Sequence, residues 1–563
     1  MHKNWKKTMV LLLLAALAAM SFLAGCSNNS SNGSEPNAEG SKEGTSSQQD
    51  DQTKHEISVS IYDRGNVPVE EGTIENNRWT KWLVENSGVD TTFVAIPRNN
   101  PAEKLNTLFA SGAAPDLIFE FNAAIRNQLY NQKQLMPLDD LIAQHSTEYK
   151  EFLEKYPIIK KLTTKSDGKM YEFGRISGLN HNVVLMVRAD WLENLNLKAP
   201  QTTEQFFEVA KAFTEDDPDR NGKDDTFGMA LSFASGMVVD QMFGSYHEAS
   251  SDSTWVIENG KLIRQWNRIK AAMAFEKRLY EAGTVDKDFV ADKNGDKSKQ
   301  DFITGKLGMI GMVGGAGAAG LQAYETLKQN DPAAKVIIIP LPESEFGSFT
   351  ANVTPPVQTT GIVNARAKDP VGVMKYVDAL VKTDTQHTLA YGFEGTHWNQ
   401  GTNGCPAVID EAKNKQELSW NMDFTMLSSP GLDECSSFKN KLDPNDPLEQ
   451  EFIGLIEAAE EAYISPERPI PLFTHQVYFP AMPEDIELIR KSAEPNMFGN
   501  IYTKAVIGGS KYSVDQAMED MQTAWKEAGG AKVDEWFDNW YQENKETAVL
   551  TEDIYELNEA LKQ

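Results

Sequence analysis

Apolar and polar positions alternate in the run EISVSIY, Glu56 to Tyr62, which reads as a strand. The next stretch, ENNRWTKWLVENSGV, carries apolar residues at helical spacing and stops at Gly88, and DTTFVAIP then reads as a second strand. This strand, helix, strand succession continues with PAEKLNTLFASG, a helix ended by Gly112, and a short apolar strand from Asp116 to Phe119. It recurs through VVLMVRADWL, TTEQFFEVAKAF, KVIIIPL and PVGVMKYVDALVK, which predicts α/β layers on mainly parallel sheets. From Pro483 onward the pattern turns helical, with VDQAMEDMQTAWKEAGG and KVDEWFDNWYQENK showing three- and four-residue apolar spacing. No repeat of 20 to 50 residues is visible, which argues against a solenoid.

The amino-terminal pattern is different. Lys3, Lys6 and Lys7 precede an apolar run from Met9 to Ala19 and small residues before Cys26, the plan of an export signal over residues 1–25. Leu23-Ala24-Gly25-Cys26 resembles the lipobox of bacterial lipoproteins, in which the cysteine thiol is acylated as the signal is removed; an ordinary signal with an incidental cysteine is the alternative. Two acyl chains give membrane binding that one does not. Residues 26–54 contain a single hydrophobic residue, Ala38, after the cysteine, so the segment is expected to be a lipid-anchored tether with a reach of about 30 Å.

Composition narrows the functions. The 563 residues exceed what one core normally serves and imply two or more domains. With 54 Lys and Arg against 82 Asp and Glu, the net charge of -28 opposes a polyanionic partner, so nucleic acid is not expected. Three cysteines include no Cys-x-x-Cys or Cys/His cluster for zinc or iron–sulfur. No G-x-S-x-G or H-E-x-x-H nucleophile or metal motif occurs.

The ordered series ASGAAPDLIFEFN, QLMPLDDLI, SDGKMYEFG, VLMVRADWLENLNLKAPQTTEQF, FITGKLGM and YGFEGTHW resembles the extracellular solute-binding lipoproteins of carbohydrate ABC importers. The likeness is to the maltose-binding-protein-like group, and within it to the large branch binding alginate and other oligosaccharides. It implies a two-lobe, periplasmic-binding-protein-like α/β fold with mixed, mainly parallel sheets and a central ligand cleft. Residues 55–180 plus 352–400 are expected to form lobe 1, and 181–351 plus 401–563 lobe 2. The implied protein is a monomer, not an enzyme. It is held to the extracytoplasmic face of the cell membrane by lipid alone, and it captures an oligosaccharide and delivers it to membrane permease subunits. Two other classes stay open: a secreted lipoprotein enzyme such as a glycosidase, working with a carboxylate pair ~5 to 10 Å apart, and a peptide-binding receptor.

Candidate site residues follow from motif and resemblance together. In YGFEGTHW an acid, a histidine and an indole lie within five residues, suited to the hydroxyl rim and C–H face of a sugar. By resemblance, Glu394 and Trp398 fall at ligand contacts, with a core role for Trp398 as the alternative. Asn122, Arg175 and Arg188 are further ligand candidates; Arg188 has the alternative of an ion pair with Asp190. Trp191, Trp525, Trp536 and Trp540 read as core. Asp217, Asp219, Asn221, Lys223 through its carbonyl, and Asp225 match the first nine positions of a calcium loop, with Gly222 at the sixth, although Gly228 replaces the final glutamate. Structural Ca2+ is therefore expected, against a metal-free turn. Gly315-Ala-Gly-Ala-Ala-Gly320 copies a dinucleotide fingerprint, but export and the mid-chain setting favour a cleft-side strand end whose backbone approaches ligand. Cys405 and Cys435 are either bridged outside the cell or two buried thiols.

Overall fold

In the structure, a computed structural model, residues 54–248 and 251–561 are described. The expected signal peptide, Cys26 and the tether up to residue 53 lie outside them. Among the described residues no helix is long and apolar enough to cross a membrane.

Among the described residues, nine principal strands build two sheets: β1 Glu56–Asp63, β2 Asp90–Pro97, β3 Leu117–Phe119, β4 Glu172–Ile176, β5 Val183–Arg188, β6 Phe227–Met229, β7 Leu307–Val313, β8 Val336–Ile339 and β9 Val357–Val363. The first sheet has the order β2-β1-β3-β9-β4. β1, β2 and β3 are parallel, with Val59 opposite both Phe93 and Leu117. β9 runs against both neighbours, and its register shifts between Thr359 and Gly361. The carboxyl ends of β1 to β4 therefore share one edge. Ile57, Val59 and Ile61 face the core, while Ser58 and Ser60 on the alternate positions tie the strand to Asp116 and Phe119 through hydroxyl hydrogen bonds.

The second sheet has the order β8-β5-β7-β6, with β5 antiparallel to both neighbours and only β7 and β6 parallel. Every residue of β5 is buried, because helices cover both faces of a central strand. Glycines in β7 admit those helices. A Cβ on Gly311 would stand 2.5 Å from the Ala234 carbonyl oxygen, and one on Gly308 would stand 2.2 Å from the Phe213 ring.

Each sheet has its own core. The first gathers Val59, Trp79, Leu117, Phe173 and Val377; the second gathers Leu185 of β5 with Trp191, Phe213, Met309 and Trp525. The sequence pattern places 401–563 wholly in the second lobe. Leu418, Trp420, Phe424, Met426 and Leu427 instead pack in the first core, the helix from Phe452 and the helices through Phe537 return to the second, and Leu557 and Leu561 of the last helix pack against Ile159, Ile176 and Val357 of the first lobe. The chain thus passes between cores after β4, before β9, and again between Leu427 and Phe452. The segment around 423–429 lies along the cleft edge of the first sheet. Arg64 pairs with Asp423 at 2.6 Å, the Thr360 hydroxyl donates to the Met426 carbonyl at 2.7 Å, and the Ile176 amide donates to the Ser429 hydroxyl at 3.1 Å.

Candidate ligand-binding cleft

The carboxyl edge of the first sheet positions the first wall. β3 leads through Glu120, Phe121 and Asn122 into the helix Ala123–Asn131, whose N-cap is Asn122: its Oδ1 accepts the Ala124 amide at 2.9 Å, and Glu120 accepts the Asn122 amide at 2.7 Å. Phe121 lies nearly parallel to Tyr62, with centroids 6.2 Å apart, and a guanidinium sits over each ring, Arg98 over Tyr62 at 4.9 Å and Arg175 over Phe121 at 5.6 Å. Arg175 makes its hydrogen bonds to neutral oxygens, Gln358 at 2.7 Å and the Thr425 carbonyl at 3.0 Å, and burial lowers its pKa to about 10.

Between this wall and the second lobe lies a cavity of ≈ 590 Å³, reached by Phe121, Asn122 and Gln128 from one side and by Ser253, Gln476 and Arg490 from the other. Asn131 closes part of it by donating to the Met482 carbonyl at 3.1 Å. Its size and its mixture of amides with an aromatic ring suit a small polar ligand with apolar faces. A second cavity, ≈ 1010 Å³, flanks the same helix and shares Ala123, Asn127, Asn131, Val477, Phe479 and Pro480 with the first. Below it Glu172 is fully buried. Burial alone would raise its pKa, but Arg126 at 3.2 Å and Lys165 at 2.6 Å overcome that and lower it to about 2.

The residues expected from sequence are dispersed. Asn122 borders the first cavity, and Arg175 stands behind Phe121 at the same edge. Arg188 is corrected: it lies at the end of β5 remote from the crossing, 1% exposed, held by Asp190 at 2.6 Å and Asp331 at 2.9 Å and laid over Trp191. A buried guanidinium with two carboxylate partners is occupied by the fold. Glu394 is exposed on a turn, and Trp398 is half-buried with its indole N–H donating to the Gly392 carbonyl at 3.2 Å; neither lines either cavity. The glycine-rich stretch after β7 serves packing, since a Cβ on Gly320 would fall 1.7 Å from the Gly315 carbonyl oxygen. Cys405 and Cys435 are disulfide-bonded, with Cα atoms 5.4 Å apart.

The acidic loop folds around Asn221. Its backbone amide donates to Asp217 at 3.0 Å, its side-chain amide donates to Asp219 at 2.6 Å and Asp225 at 3.1 Å, and its Oδ1 accepts the Lys223 amide at 2.8 Å. Among the described residues, no three acid, histidine or cysteine side chains close on a common metal position. The donor set is nevertheless all-oxygen in type and suits a hard cation if the Asn221 amide turns its oxygen inward.

Sequence reading singled out neither Phe121, although it lies within ASGAAPDLIFEFN, nor Arg98, and took Trp536 and Trp540 for core. Trp525 and Trp191 are indeed buried, and Trp536 and Trp540 pack against the same core but are only half-buried and also line the second cavity.

The polygalacturonan/rhamnogalacturonan-binding protein YtcQ of Bacillus subtilis (strain 168) is 26% identical over 481 residues, covering 83% of this chain and 87% of that protein. Among solved structures, an extracellular solute-binding protein from Bifidobacterium longum subsp. infantis superposes with a TM-score of 0.66 at 17% identity, over 87% of this chain and 99% of that one. The S. pneumoniae ABC-transporter substrate-binding protein FusA, as an EF-hand mutant with fructo-nystose, gives a TM-score of 0.61 at 18% identity over 87% and 99%. Both share the fold of this chain, two α/β lobes around a cleft. The profile of one family, described as "Bacterial extracellular solute-binding protein", matches residues 73–387, more than half of the sequence, and the chain belongs to that family.

Proposed function

We propose that this protein is the substrate-binding lipoprotein of an ABC importer, capturing an oligosaccharide between its lobes and delivering it to the membrane permease. The observation that carries this reading is the cavity beside the helix Ala123–Asn131, where Phe121 offers a ring face and Asn122 and Gln128 offer amides, with Gln476 opposite. The names of YtcQ and FusA support a glycan ligand. The family match favours binding over glycoside hydrolysis, and neither motif nor relative points to a peptide. Asn122 is the ligand contact retained at this cavity, and Arg175 acts there only by backing the Phe121 ring. Glu394 and Trp398 belong to the site only if the ligand extends beyond the two cavities.

Calcium is part of the same reading, held by Asp217, Asp219, Asn221 and Asp225 with the Lys223 carbonyl; the EF-hand named for FusA is in keeping with it. Bound there, it would neutralise three neighbouring carboxylates. Chelator should then lower the melting temperature and added Ca2+ restore it, and an unchanged melting curve counts against the site. Cys26 is the proposed lipid anchor, placing a monomeric body on the extracytoplasmic face. The lobes are proposed to run from 55–180 with 352–400 and the 418–427 segment, and from 181–351 with most of the chain beyond 452.

The test is calorimetric titration with galacturonan, rhamnogalacturonan and fructan oligomers, and with peptides of similar mass. Saturable binding of one glycan class without new reducing ends supports the carrier. Peptide binding alone, or release of reducing ends, defeats it.

A further inference from the structure

Trp536 and Trp540 lie four residues apart on the helix Ala531–Asn544 and so share a face. Trp540 is steadied by Phe473 at 5.9 Å and Trp536 by Phe537 at 5.2 Å, yet both indoles are only half-buried and border the ≈ 1010 Å³ cavity. The opposite wall comes from the helix Pro157–Thr163 and the turn after it, which bring Lys160, Lys161 and Lys165 to the same space. Lys165 is engaged by Glu172, a carboxylate that Arg126 also neutralises. Among the described residues Lys160 pairs only with Asp139, at 3.9 Å, and Lys161 donates to the Ala548 carbonyl at 3.2 Å. Besides Glu172, the one other carboxylate that the described residues bring to the lining is Glu543. A surplus of cations facing two indoles is out of keeping with a chain of net charge -28 unless the occupant is anionic.

We infer that the space between the helices Pro157–Thr163 and Ala531–Asn544 is a second sugar subsite, selecting acidic oligosaccharides. A sugar ring stacks on the Trp536–Trp540 face, and its carboxylate meets Lys160 and Lys161. The lining shared with the first cavity lets one extended chain occupy both. This rests on the carrier reading and adds the ligand's charge to it.

The experiment titrates the full chain with hexagalacturonate and with a neutral galactose hexamer of the same length, at low and high salt. Three proteins are compared: the wild type, Lys160→Gln with Lys161→Gln, and Trp536→Ala with Trp540→Ala. The wild type is expected to prefer the acidic hexamer, and salt should shrink that preference. The lysine pair should weaken acidic binding about ten-fold and leave neutral binding alone, while the tryptophan pair should weaken acidic binding by about ten-fold or more. Melting curves establish folding, and the surface lysine pair keeps the test decisive if the tryptophan pair unfolds. Equal acidic affinity in the wild type and the lysine variant, or a wild type that prefers the neutral hexamer, overturns the inference and leaves the carrier reading standing. A wild type that binds no glycan at all removes the carrier reading, and this one with it.

Discussion

Arg188 and His475 show how burial decides what a single polar side chain is for. Arg188 was legible as an arginine beside Asp190, but its second partner, Asp331, lies 143 residues away and no local pattern announces it. Its replacement by alanine should cost about 3 kcal/mol, because two carboxylates lose their counter-charge, while glycan affinity stays as it was. Urea denaturation with titration of the same variant measures both, and a loss of affinity at unchanged stability counts against a structural role. His475 is fully buried and its pKa is lowered to about 4, the Val353 carbonyl at 2.9 Å offsetting only part of that effect. The unfolded imidazole binds its proton more readily, so this stabilisation is complete above pH 6.5 or so and is lost as pH falls from there toward 4. Burial raises the pKa of both Asp240 and Glu276, an effect of opposite sign. Comparison with His475→Gln therefore isolates the histidine: the wild type should lose more stability than the variant between pH 7 and pH 5, and equal losses contradict the assignment.

At the scale of elements, periodicity identified faces well and coverings poorly. Trp525, Trp536 and Trp540 sit on helices whose apolar stripes are plain in the sequence, but the stripe does not say where the neighbouring element stops, and the two outer indoles reach past it into open space. The Gly315 to Gly320 fingerprint was legible as a strand-to-helix turn. Gly320 answers to the Gly315 carbonyl oxygen of its own turn and Gly315 to the Val184 side chain, contacts that spacing cannot report. Cys405, beside the hairpin of Trp398–Gln400 and Pro406–Val408, is bonded to Cys435 in the turn Glu434–Ser436. With the cysteines 30 positions apart, replacing both by serine should cost about 3 to 4 kcal/mol in the chain-entropy account. Denaturation midpoints of the oxidised, reduced and doubly substituted proteins check this; the last two should agree and fall below the first.

For the whole molecule, the α/β class and the two-lobe plan were readable, whereas the assignment of 418–427 to the first core was not. That segment is a run of short turns with no long periodic stretch, and its place is fixed by distant partners such as Arg64 and Arg175. A ligand that bridges lobes should favour a closed arrangement by its differential affinity for it. Saturating glycan is thus expected to reduce the radius of gyration in small-angle scattering, and an unchanged curve at saturation argues against closure. The position of β9 carries another consequence, for biosynthesis. Because β9 lies between β3 and β4, the first sheet remains in two pieces until residue 363 has emerged, while strands β5 to β8 can join one another earlier. Long-range closure of this kind slows folding and leaves strand edges open while the chain grows. Under the proposed export to the extracytoplasmic face, that delay would keep the amino-terminal half threadable through a translocation channel before the sheet locks.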